Sequence, residues 1–151
     1  MQSQIQKSEI AVFLTNNEKT LISVGPRTLS VNQLKPYLAW ADFKSRIEYA
    51  FSILDKRVEI ASIQRIGLRY INKIEIPGDE VDLKKYFEFR PSLGPNLPQS
   101  HSNFVLGCLF PFTSDRDSCK VQLMDITPEN EKSLAFMLDI DYFRLLAILC
   151  G

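Results

Sequence analysis

The sequence predicts an α+β fold: a mainly antiparallel sheet of about six to seven strands, with one long amphipathic helix at about residues 40–59 packed on one face. The prediction rests on period-two apolar runs at both ends of the chain and one period-3.6 run between them. Strict strand–helix alternation is absent, which argues against a parallel sheet. The order reads as three strands, one helix, then four strands with a long loop.

In chain order, residues 1–7 form a polar, disordered tail, and residues 8–151 form a single α+β domain. Glu9 to Thr15 is a short strand closed by a turn at Asn16-Asn17-Glu18, where Asn tolerates positive φ. Lys19 to Val24 and Arg27 to Gln33 are strands around Gly25-Pro26, read as a two-residue loop with Gly first. That register sets Val24 opposite Arg27 and Ile22 opposite Leu29, and gathers Ile22, Val24, Leu29 and Val31 on one face. Lys35-Pro36-Tyr37 breaks the strand. From Trp40, the apolar residues Phe43, Ile47, Ala50, Phe51, Leu54 and Val58 recur at threes and fours. Asp42 suits the positive end of the helix dipole.

Ile63 to Ile76, IQRIGLRYINKIEI, is the longest strand-like run. Ile66, Leu68, Tyr70, Asn72, Ile74 and Ile76 share one face. Arg65, Gly67, Arg69, Ile71, Lys73 and Glu75 share the other. Pro77-Gly78 stops the run. Asp79 to Tyr86 holds a short helix with Asp82 near its start. Residues 88–101, rich in Pro and Ser, form a loop of the length that often carries function or motion. Asn103 to Phe112 is apolar on both faces, which predicts a central strand. Cys119 to Ile126 and Ser133 to Tyr142 complete the sheet. In the last of these, Leu134, Phe136, Leu138, Ile140 and Tyr142 face away from Ala135, Met137, Asp139 and Asp141.

Composition narrows function mainly by exclusion. The net charge is zero, so the basic excess usual in a dedicated nucleic-acid binder is missing. No apolar run approaches the ~20 residues of a membrane span, and the first ten residues lack a signal-peptide core. The cysteine count of 3 is odd and no CxxC occurs, which fits reduced thiols and a cytoplasmic location. No nucleotide-binding glycine motif and no zinc-ligand spacing occur, so neither a cofactor nor a metal is implied.

The blocks VGPRTLSVNQLKPYLAWADF, RIGLRYINKIEIP, DLKKYF and LAFMLDIDYF resemble the sporadically distributed prokaryotic family of unknown function. The resemblance covers roughly residues 8–143 and implies no activity and no cofactor. It also implies longer relatives, with an added strand and helix before this region and a long helix after it. The chain then reads as a natural short form, a fragment or one part of a split protein. In that reading the apolar tail Leu145, Leu146, Ile148 and Leu149 starts the absent helix or seeks a partner.

Four residues are candidates for ligand binding. Arg65, Arg69 and Lys73 make a cationic strip suited to a phosphate, an acidic peptide or a nucleic-acid backbone. The competing reading is a solvated salt-bridge ladder with Asp139 and Asp141 as partners. Asn72 interrupts an apolar face, and its amide needs either a ligand or backbone partners near the helix end or the 77–81 turn. Asp139 and Asp141 form a DxD with no evident third metal ligand. His101 lies between Ser100 and Ser102 without an orienting group or oxyanion site, so no catalytic residue is assigned. Cys108 is expected opposite Gln122 and Cys119 opposite Pro111. This sends the thiols to opposite faces as small apolar fillers.

These observations lead to a non-enzymatic protein-interaction module, a subunit or assembly component, with a protein partner or a second copy covering an open sheet face or edge. The alternative is a polyanion, nucleotide or nucleic-acid binder using the cationic strip. Nucleic acid is the less favoured partner, and a membrane is not expected.

Overall fold

A computed structural model describes residues 10–14, 19–99, 103–113 and 116–146. The chain divides into two compact units, Met1–Ala61 and Ser62–Gly151. The expected tail at 1–7 and the trio of Ser100, His101 and Ser102 lie outside the described residues, as does Cys150.

The first unit holds β1 (Ala11–Leu14), β2 (Thr20–Gly25), β3 (Thr28–Gln33) and α1 (Trp40–Asp55). The three strands form an antiparallel sheet in the order β1-β2-β3. The expected β2–β3 register is off by two residues. Val24 lies opposite Leu29 and Gly25 opposite Thr28, so Pro26 and Arg27 form the loop. Neither of those two residues has positive φ, so the turn is not a primed one. Proline's fixed φ suits the first central position of an ordinary turn, and that preference outweighs the glycine signal. A slip of two leaves the faces unchanged, and Ile22, Val24, Leu29 and Val31 still share one side.

The helix starts where expected and stops four residues early. Asp42 lies in its first turn and no side chain caps Ala39. Beyond Asp55 the N–H of Arg57 donates back three residues to Leu54 O at 2.9 Å, tightening the last turn. A polar knot joins the helix to the hairpin. Thr20, 1% exposed, donates to Gln33 Oε1 at 2.9 Å. Arg46 Nη1 donates to both Thr20 Oγ and Gln33 Oε1. Gln33 Nε2 in turn donates to the carbonyls of Leu34 and Pro36. A buried hydroxyl costs free energy unless its bonds are made, so this knot ties α1 at Arg46 to β2 and β3.

The second unit holds β4 (Arg65–Pro77), β5 (Val105–Phe112), β6 (Asp117–Ile126) and β7 (Ser133–Leu145). They form an antiparallel four-stranded sheet ordered β4-β7-β6-β5. The seven strands therefore divide into a three-stranded and a four-stranded sheet instead of forming one. β5 is an edge strand, contrary to the central position expected from its apolar faces. β4, the longest run in the sequence, is the other edge and pairs with β7 along its whole length, from Arg65 opposite Leu145 to Pro77 opposite Ser133.

Period two sorts the second sheet into an apolar and a charged face. The apolar face centres on Ile76, Phe87, Leu123 and Phe136. Part of its cover is the long connection between β4 and β5, which packs Val81, Leu83, Phe89 and Phe104 there. The helix expected at 79–86 is a single 3-10 turn, Leu83–Lys85, whose start is capped by Asp82 Oδ1 accepting from Lys84 N at 3.1 Å. Phe87 meets Phe136 edge-on with ring centroids 5.6 Å apart. The connection thus contributes core side chains.

Two substitutions test these anchors. Leu123→Ala, at a site 0% exposed, should lower unfolding stability by about 2–5 kcal/mol in urea titration. Arg46→Ala should cost about 1–3 kcal/mol, because it strips Thr20 of a donor where water cannot replace it. An unchanged urea midpoint for Arg46→Ala would mean that the knot holds nothing together.

Candidate functional site

The charged face of the second sheet gathers three of the four candidate residues. Arg65 bonds Asp141 through Nη2, at 2.9 Å to Oδ1 and 2.7 Å to Oδ2. Its guanidinium crosses above Gly67, where an added Cβ would lie only 3.0 Å from Nη1. It also stacks on the Phe143 ring, 4.5 Å from the centroid. The missing side chain at Gly67 is therefore room for Arg65. Arg69 forms the fork geometry with Asp139, Nε to Oδ1 at 2.8 Å and Nη2 to Oδ2 at 2.6 Å. Lys73 Nζ reaches Glu129 at 2.8 Å and Glu75 at 3.2 Å. Glu75 also accepts the Glu129 N–H at 2.6 Å.

Each cation of the strip therefore has a carboxylate of its own, and Asp139 and Asp141 are the partners of the two arginines. Arg69 and Asp139 are not directly opposite. Arg69 sits opposite Asp141 and Ile71 opposite Asp139, so the fork is a diagonal contact. Asp139 is only 5% exposed. The Arg69 hydrogen bonds, with the charges of Arg69 and Lys120, hold its carboxyl below the usual carboxylate range despite burial. Arg69 is correspondingly raised. The Glu129 bond raises Lys73, and the Glu129 N–H lowers Glu75. Among the described residues, no group of three or more His, Cys, Asp or Glu could hold a metal ion.

Asn72 lies on the other face of β4. Its amide Nδ2 donates to Leu138 O at 3.4 Å, the carbonyl of its own cross-strand partner. Neither the helix end nor the 77–81 turn supplies that acceptor. The cysteines also differ from expectation. Cys108 is opposite Val121 and Cys119 opposite Phe110, one residue from the expected register. The connecting loop is one residue shorter than expected, and a one-residue slip exchanges faces. The two thiols therefore share the apolar face as diagonal neighbours and are both free, Cys119 buried and Cys108 exposed.

Sequence reasoning missed a second polar cluster, at the far end of the apolar face. Asp117 is buried there. It accepts from Arg116 Nη2 at 2.7 Å and from the Tyr142 hydroxyl at 3.1 Å, with Arg144 Nε 3.9 Å away. Arg116 foremost holds the Asp117 carboxyl below its usual range. Desolvation foremost, then Asp117, raises the Tyr142 hydroxyl. The available signal was Tyr142 itself, an aromatic on an apolar face whose hydroxyl needs a partner. Close by, Ile66, Tyr70, Phe112 and Tyr142 are exposed, and the Phe112 and Tyr142 rings lie 6.0 Å apart.

Comparison with family models, curated proteins and solved structures finds no match to this chain. No helix among the described residues is long and apolar enough to cross a membrane.

Asp139 yields a pH prediction with a definite sign. A carboxyl whose folded pKa is depressed stabilises the fold fully above the ordinary carboxylate range, and loses that contribution as pH falls through its folded value. Asp139→Asn should therefore be less stable than the parent near pH 7 by about 1–3 kcal/mol. The low end is expected because Arg69 is half exposed and screened. The gap should narrow steadily as urea unfolding is repeated at lower pH. A gap that does not change with pH would show that the carboxylate charge is not what matters.

Proposed function

We propose that the chain is a non-enzymatic protein-interaction module, a subunit or assembly component of a larger protein complex. The observation carrying this reading is the contrast between the two faces of the second sheet. Arg65, Arg69 and Lys73 on one face are each matched to a carboxylate. On the other face, Ile66, Tyr70, Phe112 and Tyr142 stand exposed together. A cluster of large apolar side chains rimmed by Arg116 and Arg144 is the profile of an interaction surface. Burying one such side chain is worth about 1.5–3 kcal/mol, so four together supply a useful driving force.

The polyanion reading has less support. A phosphate arriving at Arg65, Arg69 or Lys73 would meet a cation whose charge is already answered by Asp141, Asp139 or Glu129. The resemblance to the prokaryotic family, a cytoplasmic location and the apolar stripe of α1 as cover for a sheet face belong to the same proposal.

Size-exclusion chromatography with light scattering tests it, on protein expressed in its own host. The expected result is a self-assembly, or a stoichiometric partner whose binding Tyr70→Lys weakens. A strictly monomeric protein with no co-purifying partner would overturn the proposal. Binding to heparin that falls with salt and is abolished by Arg69→Glu would favour the polyanion reading instead.

A further inference from the structure

The two edges of the second sheet are guarded very differently. β4 carries Arg65, Arg69, Lys73 and Glu75, and charges on an edge strand discourage pairing with another chain. β5, VLGCLFPF, carries no charge at all, and neither do Phe104 and Thr113 beside it. Among the described residues, its only hydrogen-bonded neighbour strand is β6. Among the described residues, no turn or loop bonds to the outer side of Val105–Phe112. Val105 is 69% exposed and Leu109 60%, both on the charged face of the sheet, where they add nothing polar.

We infer that β5 is a self-association edge, pairing antiparallel with β5 of a second copy about a two-fold axis near Gly107. This rests on the interaction-module reading and adds a surface to it, the β5 edge, separate from the exposed apolar face. Pro111 orients the strand. A proline is tolerated at an edge where its missing N–H would point away from the ladder. Period two then turns the N–H and C=O groups of Val105, Gly107 and Leu109 outward as well.

A two-fold through Gly107 uses all three residues and leaves Pro111 beyond the end of the new ladder. It sets Val105 opposite the partner's Leu109 on one face and Phe104 opposite the partner's Phe110 on the other. Both are apolar pairings of the kind that stabilise antiparallel neighbours. The absence of charge matters here, because a symmetric pair brings identical residues together and any charge near the axis would meet its own kind. A second copy is therefore the occupant whose charge pattern fits. The contact is isologous and closes at two copies. It engages far fewer residues per copy than the roughly 20–30 of a standard stable interface, so the association is weak and concentration-dependent.

Sedimentation equilibrium of the full chain over a concentration series tests the inference. The expected result is a reversible monomer–dimer equilibrium. Gly107→Pro removes a central outward N–H and should raise the dimer dissociation constant roughly tenfold or more. A Cβ at that position meets Gln122 only at 3.5 Å, an ordinary contact, and Leu109→Lys tests the same edge without proline's fixed φ. Leu109→Lys, an exposed change, should act in the same direction. Both variants should keep the parent's circular dichroism and urea midpoint, and Ile66→Lys should leave the dimer intact. Monomer at every concentration overturns the inference, and if another protein co-purifies, the interaction-module reading survives it. A dimer that resists both edge variants but dissociates with Ile66→Lys moves the interface to the apolar face and likewise overturns edge pairing. Open-ended oligomers overturn the closed two-fold pair.

Discussion

The pairing of β4 with β7 is the constraint on which the second unit depends. Every residue from Arg65 to Pro77 has a partner from Leu145 back to Ser133. With period two, this one register decides which side chains meet. It sets Ile74 opposite Phe136 and Ile76 opposite Leu134 on the core side. On the other side it brings Arg69 within diagonal reach of Asp139. A slip of one residue would send Ile76 and Phe136 to opposite faces and separate Arg69 from its carboxylate. The ion pairs and the core therefore specify the same register, and each penalises the errors that would disrupt the other.

This agreement explains why the charged face was legible in the sequence. Arg65, Arg69 and Lys73 fall on one face of a run whose apolar residues alternate at period two, and Asp139 and Asp141 do the same in β7, three strands later in the chain. Complementary charge on two alternating runs suffices to pair them. The apolar face was legible for the same reason. What could not be read was which strands lie at the edges. Asn103 to Phe112 is apolar on both sides, and that pattern fits both a strand buried between neighbours and an edge with no charges to guard it. Local sequence does not separate the two, because the difference lies in what the rest of the chain brings alongside.

Turns set the other limit. Gly25-Pro26 carried two signals, glycine first in a primed turn and proline first in an ordinary one, and these differ by two residues in register. The face pattern is blind to a shift of two, so the apolar residues could not arbitrate. Between β5 and β6 the discrepancy was one residue, which did exchange faces and brought Cys108 and Cys119 to the same side. The Asp117 cluster was out of reach for a different reason. Its members, Arg116, Asp117, Tyr142 and Arg144, come from the start of β6 and the end of β7 and meet only once the β6–β7 register is known.

The unequal edges follow from the same partition of charge. β7 lies inside the sheet, so its Asp139 and Asp141 must be answered by neighbouring strands. β4 answers them with Arg65 and Arg69, and Lys120 of β6 adds its field to Asp139. The acidic demand ends at β6. β5 is one strand further out, and the carboxylate of β6 that faces it, Asp117 opposite Phe112, is answered by Arg116 and Arg144, so no ion pair selects a cation on β5. The ion pairs that hold the β4 side together also blunt the β4 edge, while the β5 edge is left with hydrogen-bonding groups and apolar side chains alone. For β5 to stay solvent-exposed in the working protein, selection would have to act through solubility, and one proline near its end is weak protection for an edge of this length.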